Sequence, residues 1–285
     1  MPRAVLFLLV LVASAFAPAP LQERVKGVRQ LVLEVQVDPE RARAVGWGAA
    51  DDAGVVALAA KVVKRRLVAM GREVAVELVS GEERFRLSLP SVDPRDPERL
   101  RGLVHSLGAL EFLFVAEQEA EREAPRLAAW RRVNPEAPLE ELNHLAPDDG
   151  GPPEGFAWFE TVYHSETGEP TAGPPYLLRL PAEPADHVGA ADLARTHLVT
   201  DPTGFPAIGF ELRPGRVDDF ARLTGSHLNR RMAIVIAGRV RSVPTLNSRL
   251  GAGGVIEGRF GKDEIERLTR EIAAGAGPLR VLEPR

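Results

Sequence analysis

Between residues 31 and 116 the spacing of apolar residues switches between two and about 3.6. The order of those switches restricts the fold more than any other feature of the chain. Leu31, Leu33, Val35 and Val37 alternate with Glu34 and Gln36, the period of a strand covered on one face. Val56, Ala59, Ala60, Val63, Leu67 and Met70 then form a helical stripe that Gly71 closes. Val74, Val76 and Leu78 alternate again, and the turn Ser80-Gly81-Glu82-Glu83 leads to Phe85, Leu87 and Leu89, a hairpin signature. Leu100, Leu103, Val104 and Leu107 give a second helix, entered through Pro97 and stopped by Gly108. Leu110, Phe112 and Phe114 supply a fourth strand. This β-α-β-β-α-β order is the ferredoxin-like one, and it predicts an α+β unit over residues 28–116.

A second ordered string lies nearer the C-terminus. A strand pattern at Ala207-Ile208-Gly209-Phe210-Glu211-Leu212 leads to a helix with Val217, Phe220, Ala221, Thr224 and Leu228 on one stripe. The apolar run Met232-Ala233-Ile234-Val235-Ile236 follows, turns at Ala237-Gly238, and returns through Val240-Arg241-Ser242-Val243-Pro244. Next come Ile256-Glu257-Gly258-Arg259-Phe260, an acidic helix start at Asp263-Glu264, and the ending Ala274-Gly275-Ala276-Gly277-Pro278. The last apolar stretch, Leu279-Arg280-Val281-Leu282-Glu283, reads as one more strand.

This string resembles the first periplasmic domain of the SecD (SecDF) protein-export family. There a helix ending in an "LT" turn precedes an "AIVLDG" strand, an "SAP" return strand, an "IxGxF" segment and a "GALP" end. Gly189-Ala190-Ala191-Asp192-Leu193 stands at the family's "tGddl" turn. The chain departs from the family at several points. Val25-Lys26-Gly27-Val28-Arg29-Gln30 replaces the "DLQGG" opening, Ala237 replaces the Asp of "LDG", and Asn229 stands where the family has a helix-ending Gly. Asn accepts the left-handed conformation, so that exchange keeps the turn. The resemblance covers about residues 27–115 and 175–285.

It implies a ferredoxin-like base (28–116, completed by 278–285) carrying an inserted α/β head (156–277). Between them, residues 117–155 read as a charged, Pro/Gly-rich insert. The implied function is non-enzymatic support of protein export on the outer face of the inner membrane, periplasmic or tethered there. The implied partners are Sec translocon components or separate SecD/SecF membrane subunits, together with unfolded or translocating polypeptide. The sequence stops where the family's proton-driven membrane half begins, so the resemblance implies a module that binds chains and does not transduce a proton gradient. A stand-alone structural or adaptor paralogue that kept the fold without the export role is the alternative.

Composition narrows the classes further. The 285 residues carry a net charge of −4, with Arg interleaved among Glu and Asp, which argues against nucleic-acid binding. There is no cysteine, so disulfides, thiolate metal sites and a Cys nucleophile are excluded. Arg3, the apolar run Ala4 to Val12 and the small residues around Ala13-Ser14-Ala15 and Ala17 read as an export signal. Cleavage after Ala15 avoids placing Pro18 at the cut, and an uncleaved short anchor is the alternative.

Candidate chemistry is sparse, and no catalytic, cofactor-binding or metal-binding residue is assigned; the reading is not an enzyme and has no cofactor. Thr224-Gly225-Ser226-His227 lacks the G-x-S-x-G turn of a hydrolase, and His227 near a helix end suits the macrodipole. The six histidines (105, 144, 164, 187, 197, 227) show no metal-ligand spacing and read as surface residues. Asp148-Asp149-Gly150-Gly151 lacks the alternating ligands of a calcium loop, and Asp51-Asp52 reads as a helix start. Gly251-Ala252-Gly253-Gly254 is not followed by the helix and Lys of a phosphate loop. Residues 156–260 could hold a peptide-contact surface, although most of their apolar residues read as core. The hairpin around Ala237-Gly238, flanked by Ile234, Ile236, Val240 and Val243, could receive an extended chain if a face or edge is open.

Overall fold

The computed structural model describes residues 29–91, 95–164, 169–258, 260–273 and 277–282. The export signal, the segment 25–28 and the ending 274–276 lie outside the described residues. In chain order the elements are β1 (Arg29–Val37), α1 (Pro39–Ala44), α2 (Asp52–Ala69), β2 (Ala75–Leu78), β3 (Arg84–Ser91), α3 (Asp96–Ser106) and β4 (Leu110–Val115). Next come α4 (Glu117–Val133), α5 (Leu139–Asn143), β5 (Phe156–His164), β6 (Pro170–Arg179), β7 (Leu193–Thr200) and β8 (Pro206–Leu212). The chain continues through α6 (Val217–Gly225), β9 (Met232–Ile236), β10 (Arg239–Ser242), β11 (Gly253–Ile256), α7 (Lys262–Ala273) and β12 (Leu279–Leu282). Among the described residues no helix is long and apolar enough to cross a membrane.

The first sheet has the order β12-β1-β3-β2. Alternation places Leu33, Val35, Val37, Phe85, Leu87 and Leu89 in one core with the buried stripes of α2 and α3. The opposite face is polar, with Arg86 bonded to Glu34 at 2.9 Å across β1 and β3. Helix α2 begins where the Asp51 carboxylate accepts the Gly54 N–H at 2.7 Å. It ends at Gly71, whose φ of +65° lets the Arg72 N–H return to the Leu67 carbonyl. Apart from the short helix α1, which the periodicity does not announce, the element order β-α-β-β-α is as the sequence predicts.

The fourth strand of this sheet is not the predicted one. Leu110, Phe112 and Phe114 lie on β4, which pairs with β6 and β9 in a closed barrel of order β10-β5-β6-β4-β9. The place beside β1 is taken by β12, antiparallel, with Val35 opposite Val281 and Val37 opposite Leu279. The reason lies in side-chain parity. The first sheet buries one face, whereas β4 buries Leu110 and Phe112 against one core and Leu113 against another. An apolar run of both parities needs a layer on each side.

The insert is ordered where it meets the barrel. The Asn143 side chain donates to the Trp158 carbonyl at 2.8 Å and accepts the Trp158 N–H at 2.7 Å, pairing with β5 as a strand residue would. Leu139 and Leu142 are buried beside Trp158 and Leu177. Residues 117–155 thus include the helices α4 and α5 between their proline breaks.

The third sheet, β11-β8-β7, packs with α6 and α7 over a core centred on Phe112, Phe210 and Phe220, whose ring centroids lie 5.3 to 6.1 Å apart. Helix α6 stops at Gly225, so Leu228 falls off its buried stripe and is exposed. Asn229 adopts φ 62°, the left-handed conformation the Gly-to-Asn exchange requires. The β9–β10 turn also needs positive φ at both central residues, 51° at Ala237 and 71° at Gly238.

A Cβ on Gly238 would lie 2.5 Å from the Val45 carbonyl oxygen. Gly238→Ala therefore meets both a left-handed backbone and a backbone clash. It is expected to lower stability by about 2 kcal/mol or more, read as the midpoint shift in urea unfolding; an unchanged midpoint contradicts this packing.

Candidate functional site

The residues singled out by sequence do not converge on a catalytic group. The Nδ1 of His227 lies 3.0 Å from the Ser226 hydroxyl and 2.9 Å from the Leu223 carbonyl; the carbonyl can only accept, and the tautomer that satisfies it, with the proton on Nδ1, cannot take one from Ser226. The His227 ring stacks on Phe114 with centroids 3.9 Å apart. No carboxylate among the described residues bonds to Ser226 or His227. Asp51 caps α2, as expected of a helix start. Gly253 and Gly254 lie on β11, pressed against Phe210 of β8, where a side chain would collide.

The hairpin that could receive a chain only if a face or edge were open is closed. Ile234, Ile236 and Val240 are buried, and their strands are staves of the barrel, so this turn has no free edge for an added chain.

Of the histidines expected at the surface, His187 is buried and His144 is half-buried, because each completes a carboxylate–arginine cluster. His187 is 2 % exposed, and its Nε2 lies 3.8 Å from the carboxylate of Glu111 on β4. Arg66 of α2 reaches the same carboxylate at 3.2 Å and lies over the Phe159 ring, 5.4 Å from its centroid. Burial pushes the Glu111 carboxyl up, but Arg66 and then His187 outweigh it and hold the group below the usual carboxylate range. Beside it, Arg65 pairs with Glu140 at 2.8 Å, and His144 Nε2 lies 3.5 Å from Glu140. Burial lowers the His144 pKa to about 4, so its imidazole is neutral near pH 7. The network joins α2 of the first sheet to the barrel, the insert and the segment leading to β7. Its one sequence signal is Glu111 inside the apolar run 110–115.

His187 also borders a cleft of about 1060 Å³ between the first sheet and the third. One wall is α3 with the edge strand β12. The other is the 190–192 turn, the start of β7, residues 213–219 and the end of α7. Both β12 and β7 are the last strands of their sheets. The walls meet at Ser106, whose hydroxyl donates to the Gly102 carbonyl at 2.8 Å and accepts the Ala191 N–H at 3.1 Å. Gly189 permits this approach, because a Cβ there would lie 2.5 Å from the Leu110 carbonyl oxygen.

Seven arginines and four carboxylates line the cleft, although the whole chain is net negative. Arg216 accounts for two of the acids. It bonds to Asp192 at 2.8 Å, to Asp219, and to the His187 carbonyl, pinning the wall that holds the 190–192 turn and residues 213–219. Arg99 approaches Asp219 at 3.7 Å. The Arg213 side chain donates to the Leu193 carbonyl, at 3.1 Å. No carboxylate among the described residues pairs with Arg101, Arg213 or Arg280. Burial, followed by the nearby guanidinium groups of Arg213 and Arg280, lowers the His105 pKa. The cleft can therefore attract anionic groups, and its apolar floor includes Leu103, Leu193 and Ile272.

Comparison with known proteins finds similarity to protein translocase subunits. A sequence model described as the SecDF P1 head subdomain matches residues 163–279. The chain is 28 % identical over 265 residues to protein translocase subunit SecD of Elusimicrobium minutum, covering 91 % of this chain and 51 % of that protein. It is 26 % identical over 229 residues to protein translocase subunit SecDF of Thermus thermophilus, covering 79 % of this chain and 27 % of that protein. The chain thus spans about half or less of these relatives. A solved structure of SecDF, a membrane component that enhances protein export, is 25 % identical and covers 90 % of this chain and 99 % of that one, with a TM-score of 0.36. At that score the superposition leaves the argument to rest on sequence.

Arg66→Met alone leaves Glu111 buried without its main partner, and is expected to cost about 3–5 kcal/mol. The double variant Arg66→Met/Glu111→Leu is expected to recover most of that loss. Urea unfolding of the two variants checks this, and a double variant no more stable than the single contradicts the pairing.

Proposed function

This chain belongs to the SecD (SecDF) protein-export family, and on that footing we propose that it supports protein translocation as a non-enzymatic, extracytoplasmic module that contacts polypeptide leaving the Sec channel. The similarity to translocase subunits over 79–91 % of the chain carries this reading. We read β1, α2, β2, β3 and α3, completed by β12, as the ferredoxin-like base of the family. The sheet β11-β8-β7 with α6 and α7 is the core of the head.

The polypeptide-contact surface in this reading is the cleft between base and head, not the β9–β10 hairpin. An extended chain needs main-chain partners and alternating pockets. The outer edges of β7 and β12 border the cleft, and both apolar and charged side chains line its walls. A clamp of this kind needs no general base or nucleophile, in keeping with the Ser226–His227 geometry. Its partners are Sec translocon components or separate SecD/SecF membrane subunits, and its place is the periplasmic side of the inner membrane.

Site-specific photo-crosslinking tests the contact. A probe at Ala194, exposed on β7 and facing the cleft, is expected to trap a secretory chain arrested in the Sec channel. A probe at Val133, 80 % exposed on α4 away from the cleft, is expected to give little adduct. Equal labelling at both positions, or none at Ala194 with an arrested chain present, removes this reading.

A further inference from the structure

We propose that the cleft selects acidic segments of extended polypeptide, whose Asp and Glu side chains are received by Arg101, Arg213 and Arg280. This deepens, and rests on, the reading of the cleft as a polypeptide-contact surface. These arginines come from three elements distant in sequence: α3, the segment after β8, and β12. No carboxylate among the described residues pairs with them, whereas Arg216 in the same cleft is bonded on both sides. The Nε of Arg101 is buried and has no hydrogen-bond partner among the described residues. A buried donor without a partner is costly, and an incoming acceptor removes that cost.

The shape selects among anions. A cleft of about 1060 Å³ with an apolar floor exceeds what an inorganic anion fills. It is recessed between two sheets, unlike the convex basic surface that would meet a lipid bilayer. Two terminal strands border it, and strand edges offer main-chain groups to an extended peptide. An acidic segment also meets a local field opposite in sign to that of the chain as a whole, which favours selectivity and encounter rate.

The test is fluorescence anisotropy of the full chain with three labelled extended peptides of one length, differing only in four Glu, four Gln or four Lys residues. At low salt the Glu peptide is expected to bind about tenfold tighter than the Gln peptide, and the Lys peptide more weakly than either. The preference is expected to shrink as salt is raised. In Arg101→Gln/Arg213→Gln/Arg280→Gln it is expected to vanish, while Arg122→Gln/Arg126→Gln/Arg132→Gln, changed on the exposed side of α4, keeps it. Arg280→Gln alone, on an exposed edge, serves if the triple variant does not fold, and is expected to reduce the preference severalfold.

Equal binding of Glu and Gln peptides by the parent chain overturns acidic selectivity and leaves polypeptide contact standing. An undiminished Glu preference in the cleft variants overturns the assignment to these arginines. Displacement of the Glu peptide by low millimolar inorganic phosphate or by phosphatidylglycerol vesicles overturns the choice of polypeptide over a small anion or lipid headgroup. Binding of none of the three peptides overturns this inference and the polypeptide-contact reading together.

Discussion

The antiparallel pairing of β1 with β12 is the constraint on which the rest of the molecule depends. It brings the last described residues beside the first and holds the intervening elements as an insertion between two neighbouring strands. The entropy of closing so long a loop rises only with the logarithm of its length, so each doubling adds about 0.6 kcal/mol. Burial of Val35, Val37 and Leu279 in the core with α2 and α3 opposes that cost. With β12 seated beside β1, the strand following α3 is free to enter the barrel. β4 then links the two halves: its flanks fill two cores, and Glu111 anchors the ionic network from α2.

Arginine serves two different purposes in this chain. Arg66 and Arg65 are neutralised inside, and their pairs with Glu111 and Glu140 fix how α2 sits on the barrel and the insert. A buried pair of this kind adds little net stability over an apolar substitute, but misplacing one partner is costly, so it specifies the arrangement. Arg101, Arg213 and Arg280 face a cleft instead, without carboxylate partners among the described residues. Arg216 stands between the two groups, bracing the wall that carries Arg213. The rigid network behind the cleft and the uncompensated charge within it are joined at His187, whose side chain lies beside Glu111 and whose carbonyl accepts from Arg216.

Local features were legible in the sequence wherever a local cause sufficed. The alternation in β1 and β3, the Asp51 cap, the Gly71 stop, the left-handed Asn229 and the return strand 279–282 each follow from short-range sterics or periodicity. The partner of β4 did not, because a strand apolar on both faces declares only that it needs two layers. The buried position of His187 was equally illegible, since the carboxylate that receives it lies on another element. The insert docks through Asn143, which mimics a strand, together with Leu139, Leu142 and the Arg65–Glu140 pair, and the partners of all of these lie on other elements. The cleft is assembled from residues 95 to 281, and no window of sequence contains enough of it to show its charge.

Closure of the first sheet by the C-terminal strand makes the cleft a single site, and a cysteine pair tests it directly in a chain that has no native cysteine. Gln36 and Arg280 are cross-strand partners and both are exposed. Gln36→Cys/Arg280→Cys should oxidise to an intramolecular disulfide and gain up to about 5 kcal/mol of stability, as a crosslink closing so long a loop would. Thiols that stay free under oxidation, or that join only between molecules, would contradict the pairing of β1 with β12 and the two-walled cleft built on it.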